Sequence, residues 1–501
     1  MIERTILRVF LAIAVLAPRP TAATVLAAEG GISVTTSNLR QAVQPPGKAI
    51  ESSIRLGSGT IQYKSAVQIV PVRDENGSMI AQVVTTAYLA ANRKPSQRPV
   101  TFVFNGGPGA ASVFLNFGAL GPLRIQFGAT GDTPSDRIVL RDNPGTWVDF
   151  TDLVFVDPVG TGYSHSFLGH EETQKKFWGN AQDVEYLARV IADWLISNNR
   201  LSSPKYLAGE SHSGYRLPRI TRLLQTRIGI GVKGLILISP ILDSAQDFTG
   251  DLAPMPWVVH LPSMAAAHLE TLGQLDATHM RPIIDYALGD YLVSLVKGRT
   301  DPAAMATMAD KVSRLTGLDR TFVEESGARI DPQVYVRELH RRAGRLGSGM
   351  DSNLTFVDPF PYASTGGNDD PLIEAIVPPA TSAIVDFYQR KLGWEVDADY
   401  QALSRDANSA WDEGQETQFE SYTDLRKAVS LDPGLRVLIA HGWDDLSCPF
   451  LASEMLIDHL PAGEDPGQVR VVEYPGGHMF YSRQQSLMAL HHDAAALYAA
   501  H

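Results

Sequence analysis

The run Tyr206-Leu207-Ala208-Gly209-Glu210-Ser211-His212-Ser213-Gly214-Tyr215 constrains the fold more than any other segment of the chain. It predicts a short apolar strand, a sharp turn centred on Ser211 and the start of a helix. A turn that tight needs small neighbours. Gly209, Ser213 and Gly214 supply them, with Ser213 standing where the G-x-S-x-G pattern would place its last glycine. A serine raised on such a turn at the end of a buried strand is placed to act as a nucleophile. The strand and helix around it predict an α/β-hydrolase fold.

The rest of the chain extends that expectation. Val67–Val72 and Ala81–Tyr88 alternate like strands around Asp74-Glu75-Asn76-Gly77, which predicts an antiparallel hairpin. Val100–Phe104, Leu153–Val156 and Lys205–Ala208 are short apolar runs, each followed by a glycine-rich loop. With amphipathic helices expected over Trp178–Ile196 and after Ser211, they predict a mostly parallel sheet whose loops share one ligand-binding edge. A further strand is expected at Gly234–Ser239. From there to about Asn408 the periodicity is mainly helical, with starts at Asp301-Pro302 and Asp331-Pro332. Strand patterns return at Arg436–Ala440 and Val469–Tyr474, and a last helix is expected over Gln484–Tyr498. The expected organisation is a leader over residues 1–28, a core over 29–243 and 409–501, and a helical cap inserted over 244–408.

Arg4 and Arg8, the apolar stretch Val9–Ala17 and the small residues Ala23, Ala27 and Ala28 have the order of a secretory signal peptide. The apolar stretch is too short to span a bilayer and is broken at Pro18-Arg19-Pro20. An exported chain, periplasmic or secreted, with no stable membrane insertion after signal removal is therefore expected. The net charge of -12 argues against nucleic acid and anionic membrane surfaces as partners. Cys448 is the only cysteine in 501 residues, so stability must come from core burial without an internal disulfide.

A serine hydroxyl needs a base and a group that orients the base. In this fold the order is Ser, then Asp or Glu, then His, each after a strand. The chain offers His441-Gly442-Trp443-Asp444-Asp445-Leu446-Ser447-Cys448-Pro449 after one expected strand and Pro475-Gly476-Gly477-His478-Met479-Phe480 after the next. His478, behind two glycines, is the expected base. His212 is not, because neighbouring side chains on the elbow diverge; its backbone N–H is expected to form half of an oxyanion hole, with Asn105-Gly106-Gly107-Pro108-Gly109 supplying the other donor. That loop lacks the Lys-Ser/Thr of a phosphate loop, and Gly160-Thr161-Gly162 lacks the third glycine of a dinucleotide fingerprint. No histidine pair has zincin spacing, so neither cofactor nor metal is expected.

Asn105–Gly109, Phe155-Val156-Asp157-Pro158-Val159-Gly160-Thr161-Gly162-Tyr163-Ser164, Gly209-Glu210-Ser211 and Gly477-His478-Met479 together resemble the serine carboxypeptidase family, its bacterial members in particular. The resemblance implies a triad of Ser211, Asp445 and His478. It implies oxyanion donors from the N–H groups of Gly107 and His212, and a site for a peptide's C-terminal carboxylate at Asn105 and Glu210. Three departures stand out: His212 replaces the usual tyrosine, Ala119 stands where many members have a second glutamate, and the usual Gly-Asp-x-Asp is Gly442-Trp443-Asp444-Asp445. Asp445 takes the triad position, which leaves Asp444 as a neighbouring surface carboxylate. A carboxylate as close to the nucleophile as Glu210 would oppose substrate anions unless it held a proton, so a binding role is the better reading than surface charge. Asn105 has a turn-capping role as its alternative. Cys448 is expected to pack near the Asp445 loop, and Trp443 and Met479 to form pocket wall.

The expected activity is release of C-terminal amino acids from peptide substrates through an acyl-enzyme. An esterase or acyltransferase with the same triad is the nearest alternative, and a non-catalytic binding protein on the same scaffold a distant one. Oligomeric state is left open.

Overall fold

Short, buried apolar strands form the centre of a ten-stranded sheet. The computed structural model describes residues 47–499 except 58, 92, 129–138, 245–252, 364–369, 415–418, 462–464 and 466. The expected leader, residues 1–28, lies outside the described residues. The main strands are Ile50–Leu56 (β1), Gly59–Arg73 (β2), Met79–Ala90 (β3), Val100–Phe104 (β4), Asp152–Val156 (β5), Lys205–Glu210 (β6), Gly234–Ile238 (β7), Arg436–Gly442 (β8) and Val469–Tyr474 (β9). Their spatial order is β1-β2-β3-β5-β4-β6-β7-β8-β9, and the two-residue strand His165–Ser166 pairs with β3. The expected hairpin is β2 and β3; Asp74 Oδ1 closes its turn by accepting the N–H groups of Asn76 and Ser78. From β5 across to β9 every pairing is parallel. The loops after β4, β6, β8 and β9 therefore leave the same edge of the sheet.

Alternate side chains of a strand leave opposite faces, so each central strand feeds two apolar layers. Phe102 and Leu207 enter one, Val103, Tyr206 and Ala208 the other. The first layer is covered by Asn180–Ser197 (α1) and Ser213–Leu223 (α2), with Trp194 meeting Phe102 edge-on at 5.3 Å. Such burial contributes about 2–3 kcal/mol per large side chain. The helix α1 starts two residues later than its periodicity suggests, because Trp178 closes a preceding helix, His170–Phe177, with its N–H on the Gln174 carbonyl, and Gly179 is extended. Pro371–Asp386 (α3) and Gln484–Ala499 (α4) cover the second layer.

Residues 244–408 divide between two bodies of packing. Helices from Met255 to Glu338 enclose a third apolar cluster, which also takes in Trp443, Leu446 and Phe450 from the segment after β8. The later part, carrying Ile376, Phe387 and Tyr388, joins the second layer of the sheet itself. Asp301 and Asp331 cap helices as expected, and Asp370 before Pro371 does the same, accepting the N–H groups of Leu372 and Ile373. Among the described residues no helix is long and apolar enough to cross a membrane.

Candidate active site

Ser211 follows β6 with φ at +59°, in the left-handed region that a side chain occupies only at a cost. The surroundings hold it there. Its N–H donates to the Ile238 carbonyl, and its carbonyl accepts from Gly214 and Ile241. The loop after β4 passes so close that a Cβ on Gly106 would lie 2.5 Å from the Ser211 Cβ. Gly107, at φ +100°, follows in the same loop. Among the described residues neither the Gly107 nor the His212 N–H donates to a protein acceptor. The His212 ring is turned away among Trp411, Tyr215 and Phe419, and burial with Arg216 nearby pushes its pKa well down.

His478 leaves the end of β9 and Asp445 the end of β8, and the two meet: His478 Nδ1 lies 2.8 Å from Asp445 Oδ2. The other Asp445 oxygen accepts the N–H groups of Ser447 and Cys448 at 2.8 and 2.9 Å. Three N–H groups on one fully buried carboxylate hold it in a single orientation. Burial lowers the His478 pKa, but the charge of Asp445 and its hydrogen bond outweigh that and leave the pKa well above the ordinary value. With Nδ1–H given to Asp445, Nε2 of the neutral ring is the acceptor. Cys448 is buried beside the pair, its Sγ within 4.8 Å of a carboxyl oxygen of Asp445 and a ring nitrogen of His478.

The insertion holds these loops. Leu446 N–H donates to the Gly349 carbonyl and His478 N–H to the Met350 carbonyl. Arg483, five residues past the base, binds Asp351 at 2.8 Å and also Glu270, and lies 3.7 Å from Asp444. Asp444 is therefore no surface carboxylate: it is completely buried, and burial followed by the charge of Asp351 pushes its pKa well above the carboxylate range. The Gly-Trp-Asp-Asp turn carries one carboxyl to His478 and the other to this cluster around Arg483. Trp443 likewise is not pocket wall; it packs edge-on against Phe450 at 4.8 Å in the cluster of the insertion.

Glu210, on the last residue of β6, is also buried. Asn105 Nδ2 donates to its Oε2, and Tyr481 OH to its Oε1 at 2.6 Å. The Asn105 amide has one orientation available, because its Oδ1 accepts the Leu115 N–H at 3.0 Å. Burial raises the Glu210 pKa above the usual carboxylate range, against the lowering effect of His478 and of the two donors. Asp157, from the Phe155–Ser164 run, is buried and accepts the Ser112 N–H at 2.8 Å and the Tyr400 hydroxyl at 3.2 Å.

A cavity of about 760 Å³ brings Ser211, His478, Glu210, Asn105 and Gly107 together, with Met479 in its wall. Asp445 sits behind His478. Ala119, the position at which the resemblance places a second glutamate in many members, is buried in the second apolar layer. Tyr481 and Arg483 were not singled out from the sequence. Tyr481 falls on the short helical turn Phe480–Ser482 that follows His478 and Arg483 just after it, where nothing in residue type or spacing marks a functional side chain.

Residues 87–312 match the peptidase S10 serine carboxypeptidase family model. The pheromone-processing carboxypeptidase KEX1 of Yarrowia lipolytica is 33% identical over 177 residues, 34% of this chain and 26% of the relative. The corresponding protein of Metarhizium acridum is 26% identical over 386 residues, 75% and 53% of the two chains, and serine carboxypeptidase-like 34 of Arabidopsis thaliana is 27% identical over 203 residues, 39% and 38%. The chain thus spans from about a quarter to about half the length of these relatives. The crystal structure of a prohormone-processing carboxypeptidase, Kex1(delta)p of Saccharomyces cerevisiae, superposes with a TM-score of 0.54 at 16% identity, covering 86% of this chain and 92% of that one. That likeness shows the α/β-hydrolase fold. Asp445 and His478 lie outside the matched segment 87–312, so it is the fold that brings them to Ser211.

Proposed function

We propose, on the premise that residues 87–312 match the serine carboxypeptidase family, that the chain is an exported serine-type carboxypeptidase of the bacterial branch, a hydrolase acting on peptide substrates. Ser211 attacks the last peptide carbonyl. His478 takes the hydroxyl proton at Nε2 and later returns it to the departing amino acid, while Asp445 keeps the ring in the required tautomer. The N–H groups of Gly107 and His212 receive the charge that develops on the carbonyl oxygen. The acyl-enzyme on Ser211 is then hydrolysed.

One observation carries the reading: a buried carboxyl, Glu210, faces the same cavity as the nucleophile and the base. An ionised Glu210 would repel a C-terminal carboxylate. A protonated one donates a hydrogen bond to it, and burial favours the protonated form. Asn105 has a second amide hydrogen for the same carboxylate. A neutral ester substrate has no use for this arrangement.

Timed digestion of a peptide mixture, followed by mass spectrometry, is expected to show stepwise loss from the C-terminus, and a fluorophosphonate adduct should map to Ser211 alone. Internal cleavage, or labelling that persists in Ser211→Ala, would overturn the proposal. Hydrolysis confined to esters would leave an esterase or acyltransferase.

A further inference from the structure

We propose that Tyr481 is a positioning residue for Glu210, and that its phenol sets how, and over what pH range, the cavity recognises a C-terminal carboxylate. The proposal rests on the carboxypeptidase reading of the same site.

Tyr481 is fully buried behind Glu210 and does not line the cavity, so it acts through the carboxyl and not on substrate. Its hydroxyl lies 2.6 Å from Glu210 Oε1. Asn105 holds the other oxygen, and its own amide is locked by Leu115. With both oxygens tethered, the carboxyl plane has one orientation, and preorganisation of this kind strengthens a hydrogen bond that substrate must otherwise align.

The ring is seated with care. A Cβ on Gly118 would come within 2.9 Å of the Tyr481 Cε2, so the ring needs the glycine beneath it. One buried guanidinium ties the two together: Arg124 donates from Nε to the Gly118 carbonyl and from Nη2 to the carbonyls of Tyr481 and Ser482 at 2.7 and 2.6 Å. The adjacent Ala119 offers no carboxyl to Glu210, and the phenol takes that oxygen instead.

A phenol and a carboxyl differ in what they do to a neighbour. Two carboxyls share a proton and titrate as a pair. The Tyr481 hydroxyl stays protonated, because burial and the charge of Glu210 raise its pKa well above the ordinary value. It therefore gives Glu210 a donor at every working pH and favours the ionised form. The charged and titratable groups facing Glu210 are His478 and Asp445 beside it, Tyr481 with Arg124 behind it, and Asp370, Glu374, Arg405 and Asp406 across the cavity.

Steady-state kinetics of the full chain and of Tyr481→Phe test this on three substrates from acid to neutral pH: a peptide with a free C-terminus, its C-terminal amide and a small neutral activated ester. Tyr481→Phe should raise KM for the free peptide about three- to tenfold at acid pH and leave kcat on the ester within about twofold. It should also move the pH above which the peptide KM climbs upward, since the lost donor favoured ionised Glu210. Gly118→Ala, which displaces the ring without touching Glu210, should reproduce the KM effect. Equal losses on peptide and ester, an unmoved pH dependence, or a Gly118→Ala enzyme with unchanged peptide KM would each overturn the proposal. If the unmodified enzyme cleaves free and amidated peptides alike, the carboxypeptidase reading fails first, and that is visible before any variant is made.

Discussion

Asp445 and Glu210 belong to one candidate active site and are about equally hidden from water, yet the chain treats them in opposite ways. Asp445 receives two backbone N–H groups and the ring of a histidine that can become a cation. Glu210 receives an amide and a phenol, both neutral. Burial penalises charge on either carboxyl, so the partners decide the outcome. On one side a carboxyl held by backbone donors fixes the orientation of His478, and on the other burial raises the pKa of a carboxyl that faces the cavity. The two sides also differ in what anchors them. The Asp445 side is pinned to the insertion through Asp351, Glu270 and Arg483, while the Glu210 side is pinned to the sheet layer through Gly118 and Arg124.

The largest test of that contrast is Asp445→Asn, which should lower kcat by about 10⁴ on peptide and ester alike, because the asparagine leaves His478 in the wrong tautomer. A loss confined to peptides would place Asp445 with the substrate-binding side instead.

Arg483→Met tests the anchoring. It strands Asp351, Asp444 and Glu270 without their cation, which should cost about 3–5 kcal/mol in urea unfolding. Asp351 and Asp444 already hold protons in the folded state above the usual carboxylate range, because burial raises the pKa of both. Folded protein then binds more protons than unfolded protein in that window, so stability falls as pH rises. The Arg483→Met deficit should therefore grow with pH, and a deficit independent of pH would mean that the cluster is not held by charge.

Glu210→Gln has a smaller expected effect, and the effect lies in its pH dependence. Glutamine keeps a donor for the substrate carboxylate, so KM at acid pH should stay within about threefold of the unmodified value. The climb of KM as pH rises through the raised Glu210 pKa should disappear. A climb that persists assigns the titration to another group.

Asp444→Asn should do least, with kcat changed by less than about tenfold, since burial pushes the Asp444 pKa well up and an amide resembles the protonated form that this favours. If it proves as damaging as Asp445→Asn, the two aspartates have been assigned to the wrong partners.

What could be read from the sequence follows physical lines. The elbow, the hairpin and the loops bearing Asp445 and His478 were legible because a buried strand ending in glycine leaves a local pattern. The Asp301-Pro302 and Asp331-Pro332 helix starts were legible because a capping aspartate followed by proline is a local signature of a first turn. Asp444 was misread because burial is a property of what folds over a residue, here Asp351 and Arg483 from distant parts of the chain. Trp443 was misread because its neighbour Phe450 lies over a turn that spacing does not resolve. Tyr481 left no mark because its role depends on Gly118, more than 300 positions away, being small enough to admit the ring. The insertion read as one helical block because periodicity reports an apolar face without saying which layer the face joins.

The central claim is that the cavity recognises a free C-terminal carboxylate through protonated Glu210. The direct measurement is kcat/KM for a matched pair of peptides, one with a free C-terminus and one amidated, followed from acid to neutral pH. The account predicts a strong preference for the free peptide at acid pH that shrinks as Glu210 ionises, with the amide rate showing no such decline. Equal cleavage of the two peptides at every pH would contradict it.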